Sequence, residues 1–335
     1  MVELKQRLDE FLSKNKQPQV QIQRLTPDAS TREYFRISWN ETKAIACVYQ
    51  ESFVAAEQSY LDVSRLFLKN GIPVAEILAF DEALGIIVQE NLGDTILRDV
   101  LSTLSRDESE RLIDDAIRLI ARIQSATSNA ISTRSIASKL KFDTEKLTWE
   151  LEFFREHYFE TLRKRPQSDA ETMQLREEFI ELSKELESKA AVLCHRDFHA
   201  ANLMVDLKGR LRIIDHQDAR LGSAAYDLVS LLLDRVTVLP TAEWLASKRT
   251  FLIEERTKLG LGKLDEDAFA YEFRLQTIQR CLKATGTFSY QSSMRGKTYF
   301  LPFIKPMFQI VLRAAENIDR FPTLQELVTR EIANS

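Results

Sequence analysis

Alternating polar and apolar residues mark the first ninety positions and predict a small antiparallel sheet. An amphipathic helix is expected over residues 1–17, and residues 53–70 have the period of a second helix that Gly71 stops. The segments between and after them are short and rich in β-forming residues. Strands are expected at residues 20–25, 34–39, 43–50, 75–80 and 85–89. Five strands and one packed helix would form an N-terminal lobe, residues 1–90.

The remaining chain, residues 91–335, has mostly the period of helices. One stripe of apolar residues at helical spacing is Leu112, Ile113, Ala116, Ile117, Ile120 and Ile123. Residues 125–141, rich in Ser and Ala, are the only linker-like stretch of the sequence. Helices are expected from about residue 94 and then at 144–163, 170–188, 224–234, 241–258, 265–285 and 299–318. The predicted fold class is α+β, a small five-stranded antiparallel lobe followed by a large, mainly helical C-terminal lobe.

A second β pattern interrupts the helices between residues 191 and 218. An apolar run at residues 191–194 has the length of a buried strand and leads into a polar loop. Residues 203–205 and 211–214 are apolar or alternating and flank an Asp-Leu-Lys-Gly turn, which predicts a hairpin.

Three oxygen-bearing side chains frame this hairpin: Asp197 in the loop, Asn202 five residues later, and Asp215 where the second strand ends. Phosphoryl transfer needs a base that orients a hydroxyl and Mg²⁺ held on oxygen ligands. Each residue alone could simply cap a loop or end a strand, but the set has the order and spacing of the protein-kinase catalytic pattern. We therefore predict a kinase, with Asp197 as the base and Asn202 and Asp215 as metal ligands.

The segment resembles the aminoglycoside phosphotransferase and choline kinase superfamily. The usual loop H-x-D-x-x-x-x-N and the later D-x-x-D are matched by His195, Asp197, Asn202, Asp215 and Asp218. The resemblance implies a protein-kinase-like two-lobe fold, ATP and Mg²⁺ as cofactors, and the roles given above. It also implies a structural role for His195, which would brace the loop, and a place for Asp218 near the second metal or the loop.

Other polar residues of this region have simpler interpretations. His195 and His199 are four residues apart, but they lack the intervening Glu of a zinc-binding HExxH pattern and flank a loop, so a structural role is favoured. Asp227 could accept a hydrogen bond from the catalytic loop or cap the helix that follows it. The cap is the favoured interpretation.

In a kinase-like fold, residues 1–90 would be the nucleotide-binding lobe, and residues 91–335 would carry the catalytic loop and the acceptor site. The hinge between them binds adenine through its backbone, and an ordinary strand-to-helix loop is the alternative. The adenine candidates by position are Gln89, Glu90, Asn91 and Leu92.

The loop expected over the ATP phosphates, residues 26–33, contains no glycine, although glycine-rich loops let backbone amides approach phosphate closely. Its Ser30, Thr31 and Arg32 are the phosphate-binding candidates. The third strand also lacks the lysine of the generic kinase pattern and offers Cys47 or Val48 instead. The candidates to replace this lysine are Lys43, Arg36 and Arg32, with Glu57 as an ion-pair partner.

These two departures give a narrower resemblance, to the bacterial anomeric N-acetylmuramate/N-acetylglucosamine kinases, which share both. The matching segments are PDASTREYFR at 27–36, ENLGD at 90–94, DHQDA at 215–219, YDLVSLL at 226–232, QRCLKATGTF at 279–288, RGK at 295–297 and Tyr299. His216 departs from the Phe that is more usual at its position. The resemblance runs nearly end to end. It implies ATP- and Mg-dependent phosphorylation of the anomeric hydroxyl of an N-acetylated amino sugar, in cell-wall recycling.

In this family the acceptor lies between the catalytic loop and the C-terminal helices. The polar candidates to bind it are Glu150, Glu152, Gln279, Arg280, Lys283 and Arg295. Residues 274–297 are net basic, which suits a neutral sugar or a lactyl carboxylate better than a cationic aminoglycoside or choline. Two alternatives remain open: another phosphotransferase of the superfamily, acting on an aminoglycoside, choline, homoserine or fructosamine, or a catalytically idle nucleotide-binding module.

Composition and charge limit the expected partners and cellular location of the protein. The formal net charge of 335 residues is −4 with acids and bases interspersed, so a nucleic-acid partner is not expected. No apolar run approaches membrane-spanning length. Cys47, Cys194 and Cys281 are far apart and form no CxxC pair, so neither a disulfide framework nor a zinc site is predicted. The expectation is a soluble cytoplasmic enzyme with a small-molecule sugar substrate, and the sequence leaves its oligomeric state open.

Overall fold

A computed structural model describes residues 2–17, 22–25 and 32–334. The chain divides into two compact units. The first unit consists of Met1–Leu104 with Ala201–Asp218, and the second of Ser105–Ala200 with Ala219–Ser335. The assignment of nucleotide binding to residues 1–90 and of the acceptor to residues 91–335 stays a prediction.

The described residues form short strands and many helices, joined by one π-helical and two 3₁₀ segments. The strands are β1 (Gln23–Leu25), β2 (Glu33–Trp39), β3 (Thr42–Val48), β4 (Ile77–Asp81), β5 (Ile86–Glu90), β6 (Val192–Cys194), β7 (Leu203–Val205), β8 (Leu211–Ile213) and β9 (Arg220–Gly222). The helices are α1 (Val2–Lys14), α2 (Ser59–Lys69), α3 (Leu97–Leu101), α4 (Arg106–Ser125), α5 (Thr127–Ser132), α6 (Ile136–Lys139), α7 (Thr144–Arg155), α8 (Asp169–Ser188), α9 (Tyr226–Leu233), α10 (Ala242–Lys258), α11 (Glu266–Arg295), α12 (Ile304–Glu316) and α13 (Pro322–Ala333). The π-helical segment is Glu156–Leu162, and the 3₁₀ segments are Ala200–Asn202 and Thr298–Phe303.

The first unit is built on a five-stranded antiparallel sheet with the order β1-β2-β3-β5-β4. This confirms the predicted small lobe. Alternation places β2 and β3 side chains on two faces: one face packs against α1, as in the stacked pair Phe11 and Trp39 with ring centroids 5.7 Å apart. The other face packs against α2 through Tyr60, Leu61 and Ile87.

Helix α2 begins later than the sequence suggested. Residues 53–58 form turns, and the helix starts at Ser59 because the side chain of Gln58 accepts a hydrogen bond from the backbone of Tyr60. Gly71 then ends the segment with φ +67°, a left-handed conformation that glycine adopts without strain.

The predicted hairpin is present as β7 and β8, with Leu203 opposite Ile213. Its turn is fixed by Asp206, whose Oδ1 accepts hydrogen bonds from the N–H groups of Lys208 and Arg210, each at 2.9 Å. Backbone bonds tie the hairpin to the first unit, since the N–H of Ile213 donates to the carbonyl of Pro73 at 2.8 Å.

The second unit is mainly helical, with α11 packed along α7, α9 and α12. Helix α11 runs ten residues past the predicted end at 285. The helix continues through Gly286. This glycine lets α7 pack closely against α11, since a Cβ at this position would lie 2.7 Å from Cα of Phe154. The helix ends instead at Gly296, which has φ +68°.

Three other features of the second unit differ from expectation. The predicted linker, residues 125–141, contains α5 and α6. Strand β9 was not predicted; it pairs with β6, so that Val192 lies opposite Gly222. Helix α13 was also missed. Within the described ranges, no helix combines the length and apolar character needed to cross a bilayer.

Candidate active site

Asp197 lies in the second unit, in the loop that follows β6. Arg196 has φ +88°, and this turn leads the chain from the buried strand to Asp197. The Asp197 side chain is 30% exposed. A carboxylate with this exposure is accessible to a ligand.

Three cations surround the Asp197 carboxylate. Its Oδ1 lies 3.3 Å from Nζ of Lys283 and 3.5 Å from Nη2 of Arg280, and its Oδ2 lies 3.8 Å from Nε of Arg196. Burial alone would raise the pKa of Asp197, but Lys283, Arg280 and Arg196 outweigh it and hold the pKa of Asp197 well below its usual range. The group is therefore an ionised hydrogen-bond acceptor at neutral pH.

Lys283 and Arg280 belong to a larger polar cluster formed by α11, α7 and α9. Gln279 donates from Nε2 to Oε2 of Glu150 at 2.8 Å, and Nζ of Lys283 lies 4.0 Å from Oε1 of Glu150. Arg280 also donates from Nε to Oγ of Ser230 at 2.9 Å. Glu150 is only 2% exposed. Four of the predicted acceptor-binding residues are thus brought together around Asp197: Glu150, Gln279, Arg280 and Lys283.

The other two acceptor candidates lie elsewhere. Arg295 is exposed near the end of α11, about 18 Å along the helix axis from Lys283, and its guanidinium lies 5.9 Å from the ring centroid of Tyr290. Glu152 pairs with Arg155 at 2.9 Å. Neither is in contact with the cluster around Asp197.

Asp227 holds the loop that carries Asp197 by accepting two hydrogen bonds from its backbone. Its Oδ2 accepts from the N–H of His195 at 2.7 Å, and its Oδ1 accepts from the N–H of Arg196 at 3.1 Å. The residue before α9 is Ala225, and no side chain caps the helix. The favoured helix-cap interpretation was therefore wrong, and the alternative is correct. Burial raises the pKa of Asp227 to about 7, although the two backbone bonds oppose the shift.

His195 is fully buried, and its ring makes an edge contact with Phe198 at a centroid distance of 5.6 Å. Its bracing role stays a prediction. His199 is partly buried, and burial lowers its pKa. Asp218 is partly buried three residues after Asp215, and its role stays a prediction.

Asn202 and Asp215 lie in the first unit at the open end of the β7–β8 hairpin. The carbonyl of Asn202 accepts a hydrogen bond from the N–H of Ile214 at 3.1 Å, which brings Asn202 beside the residue that precedes Asp215. Asp215 has φ +63°, a conformation that Asp tolerates better than most residues, and its side chain is 48% exposed. Gln217 donates to Oδ1 of Asp215 at 2.8 Å. The backbone of the hairpin therefore places Asn202, which has an amide side chain, near Asp215, which has a carboxylate.

This donor set fits a hard cation such as Mg²⁺, which prefers oxygen ligands and commonly takes only one or two from the protein. In the part of the chain that the structure describes, no group of three or more His, Cys, Asp or Glu side chains is arranged to hold a metal. Phosphate oxygens and water would have to complete the coordination of an ion at Asn202 and Asp215.

The adenine candidates lie at the end of β5 and just beyond it. Gln89 accepts a hydrogen bond from the hydroxyl of Tyr60. Glu90 pairs with Arg212, with Oε1 and Oε2 at 2.9 and 2.6 Å from its guanidinium, and the N–H of Glu90 donates to the carbonyl of Glu76. The backbone N–H of Glu90 is thus already paired, and the adenine contacts of Gln89, Glu90, Asn91 and Leu92 stay a prediction.

Of the phosphate-loop candidates, Ser30 and Thr31 lie outside the described residues. Arg32 is described, and its Nη2 lies 3.9 Å from Oδ1 of Asp215. Glu57, the predicted ion-pair partner, is exposed in the turn before α2.

The sequence did not predict how the residue after Asp215 is held. Nε2 of His216 lies 2.7 Å from Oγ of Ser64, and the imidazole packs against Tyr60 and Phe67 with centroid distances of 4.8 and 5.6 Å. The available signal was Ser64 itself, a polar residue three positions before Phe67 on the apolar side of α2.

The protein-kinase-like fold, a five-stranded antiparallel unit and a mainly helical unit, is that of phosphotransferases of the small-molecule kinase class. Residues 21–260 match the model of the Phosphotransferase enzyme family, and the chain belongs to this family.

Two similar bacterial proteins carry the name N-acetylmuramate/N-acetylglucosamine kinase. The protein of Neisseria meningitidis serogroup B is 27% identical over 91% of this chain and 90% of its own length, and that of Caulobacter vibrioides is 26% identical over 88% and 78%. Among solved structures, the ADP-bound aminoglycoside phosphotransferase APH(2'')-Ib superposes with a TM-score of 0.57 at 14% identity, covering 92% of this chain and 98% of its own. The structural likeness concerns the fold alone.

Proposed function

We propose that this protein transfers the γ-phosphoryl group of ATP to the anomeric hydroxyl of N-acetylmuramate or N-acetylglucosamine, as a step of cell-wall recycling. The observation that carries the proposal is Asp197, a partly exposed carboxylate kept ionised by neighbouring cations. Asp197 would accept a hydrogen bond from the acceptor hydroxyl and orient its oxygen for attack on the phosphorus. A positioned base of this kind typically contributes about 10²- to 10⁴-fold in rate.

The phosphates of ATP would be bound by residues of the first unit. Asn202 and Asp215 would hold Mg²⁺, and when bound the ion neutralises charge on the transferring phosphoryl group. The ADP-bound neighbour supports ATP as the donor. The backbone of Asn91 and Leu92 would contact adenine.

The acceptor would be bound by the polar cluster of the second unit. Gln279 and Glu150 are hydrogen-bonded partners that could receive sugar hydroxyls, and the positive charges of Lys283 and Arg280 suit the lactyl carboxylate of N-acetylmuramate. A cationic acceptor such as choline would meet two like charges there. The names of the two bacterial relatives support an N-acetylated sugar.

A cytoplasmic location is part of the proposal. Cys47, Cys194 and Cys281 are all free and buried. Unpaired thiols are usual in a reducing compartment, where disulfides are rare.

The proposal is tested by measuring ADP release from Mg-ATP with N-acetylmuramate, N-acetylglucosamine, glucose, choline or kanamycin as acceptor. Asp197→Asn removes the base and is expected to lower kcat by at least about 100-fold. Asp115→Asn is the matched control, because Asp115 is 52% exposed on α4. The phosphorylated product is then treated with mild acid, which cleaves a sugar 1-phosphate and leaves other sugar phosphates intact.

Turnover only with the two N-acetylated sugars, lost in Asp197→Asn and retained in Asp115→Asn, is the expected result. Turnover only with choline or kanamycin would retain the phosphotransferase class and overturn the acceptor. Nucleotide binding without turnover on any acceptor would favour an idle nucleotide-binding module.

A further inference from the structure

Strand β3 carries no cation in its interior. Residues 44–48 are all buried, and their side chains are Ala, Ile, Ala, Cys and Val. Lys43 is exposed at the start of the strand, opposite Ser38. A nucleotide bound beside this sheet would therefore need its positive charge from a residue outside β3.

The guanidinium of Arg32 lies over strand β3 and provides a positive charge there. It immediately precedes β2, where Tyr34 lies opposite Cys47 of β3. Its guanidinium carbon lies 5.8 Å from the ring centroid of Tyr34 and 5.6 Å from that of Tyr49. Since Tyr34, Cys47 and Tyr49 share one face of the sheet, the guanidinium covers the part of β3 where the generic kinase pattern has its lysine.

This face is also the one that α2 and the segment after β8 approach. Tyr60 of α2 hydrogen-bonds Gln89 on this face, and the Tyr60 ring packs on His216. Arg32 lies 3.9 Å from Asp215, beyond hydrogen-bonding distance, and the Arg32 side chain is 19% exposed. The guanidinium of Arg32 is thus close to the carboxylate of Asp215, the proposed Mg²⁺ ligand, but does not form a hydrogen bond with it.

The other cations considered for this role have different surroundings. Arg36 hydrogen-bonds the carboxylate of Asp94 and lies 3.4 Å from Oε1 of Gln23. Arg36 extends towards β1 and the segment after β5, whereas Arg32 lies beside Asp215. Among the three candidates, only Arg32 combines a position over the centre of β3 with proximity to a proposed Mg²⁺ ligand.

We infer that Arg32 binds the phosphates of the nucleotide in place of the strand lysine, an inference that rests on the proposed use of ATP. A guanidinium presents a planar set of donors that can hold two phosphate oxygens at once, whereas a lysine acts as a point charge. The rings of Tyr34 and Tyr49 limit the orientations of the guanidinium before the nucleotide arrives. The segment that begins β2 therefore supplies the charge that other kinases place in β3.

The test measures equilibrium binding of ATP, ADP and adenosine to wild type, Arg32→Ala and Arg32→Lys, with Mg²⁺ and without an acceptor. Arg98→Ala is the matched control, because Arg98 is an exposed arginine of the same unit that pairs with its neighbour Asp99. Thermal unfolding of each free variant shows whether the fold is retained. Arg32→Ala is expected to weaken ATP and ADP about 10- to 100-fold and adenosine less than twofold. Arg32→Lys should restore part of the loss.

Equal weakening of ATP and adenosine would overturn the inference, since Arg32 would then support the site only by packing. Unchanged ATP binding in Arg32→Ala, with wild type binding and turning over ATP, would overturn it while leaving the proposed function in place. Wild type that binds no nucleotide would refute both.

Discussion

Nε2 of His216 lies 2.7 Å from Oγ of Ser64, so the residue after Asp215 is joined to α2 by a buried hydrogen bond. In the generic kinase pattern, the corresponding helix is instead held to the sheet, by an ion pair between its glutamate and the strand lysine. In this protein, the helix is joined to the segment after Asp215 by a hydrogen bond between a hydroxyl and an imidazole, not by an ion pair. Substitution of either Ser64 or His216 is therefore expected to affect both helix α2 and the segment that contains Asp215.

Ser64→Ala is expected to lower the free energy of unfolding by about 1–3 kcal/mol, because the buried imidazole loses this partner. The double variant Ser64→Ala/His216→Phe should recover most of the loss, since replacing both polar partners by apolar groups of similar shape can be nearly neutral. Urea unfolding of the two single variants and the double variant gives the coupling energy. Simple additivity of the single effects would contradict the proposed pairing.

Asp227→Ala is expected to lower stability by about 2–4 kcal/mol and to reduce kcat strongly. The backbone N–H groups of His195 and Arg196 would lose their acceptor, and the loop that presents Asp197 would lose its fixed geometry. Asp227→Asn keeps one acceptor oxygen and should fall between the two. Urea unfolding and steady-state kinetics measure the effects, with Asp115→Ala as the exposed control. A stable Asp227→Ala variant with normal kcat would contradict this role.

The raised pKa of Asp227 also predicts a dependence of stability on pH. Between the unfolded value of 3.8 and the folded value of about 7, the folded state binds the Asp227 proton more tightly than the unfolded state. The contribution of Asp227 to stability must therefore fall as the pH rises through this window. Compared with wild type, Asp227→Asn should show a more positive slope of unfolding free energy against pH between 4 and 7. Parallel slopes would contradict the raised pKa.

Lys283→Met should move the acid limb of the pH profile of kcat/KM to higher pH. In wild type the neighbouring cations keep the pKa of Asp197 well below its usual range, so we expect no loss of the base between about pH 5 and 8. Removing the charge at 3.3 Å raises the pKa of Asp197. The exposed Lys258→Met is the control. A lower kcat/KM with an unchanged limb would assign Lys283 to acceptor binding alone.

Gly286→Ala should destabilise the protein although alanine is the better helix former. The propensity gain is about 1 kcal/mol, but a Cβ would lie 2.7 Å from Cα and 3.0 Å from the backbone N of Phe154, and backbone atoms cannot move aside singly. Overpacking of this kind costs typically about 1–3 kcal/mol. Gly262→Ala is the control, because nothing lies within 4 Å of its Cβ position. Denaturant unfolding measures both. A gain in stability would show that α7 and α11 can separate.

Local patterns predicted most elements of this fold. The β2, β3 and β5 segments and the β7–β8 hairpin carry alternation or turn residues within a few positions, and such signals do not depend on the rest of the chain. Helix α11 was cut short at 285, because a glycine in a helical pattern is ambiguous until its packing partner is known. Gly286 has that partner in Phe154, more than a hundred residues earlier.

In the candidate active site, too, local patterns predicted residues but not the contacts between residues distant in sequence. Asp197, Asn202 and Asp215 lie close together in the sequence, so their order and spacing alone could indicate a kinase-like site. The partners of Asp227 lie 31 and 32 residues away, and that of His216 lies 152 residues away. Hydrogen bonds at such separations are set by tertiary packing, so neither the loop-holding role of Asp227 nor the role of Ser64 could be derived from spacing.

The β7–β8 hairpin has a consequence for the order in which the protein folds. Arg212 of β8 donates to the carbonyl of Val74, 138 residues earlier, and β7 pairs with residues just before α3. During synthesis the ribosome must therefore produce α4 to α8 before the first unit can be completed. Contacts this distant in sequence form slowly because a long loop must close first. The five-stranded sheet can form on the nascent chain, but the β7–β8 hairpin is expected to join it late.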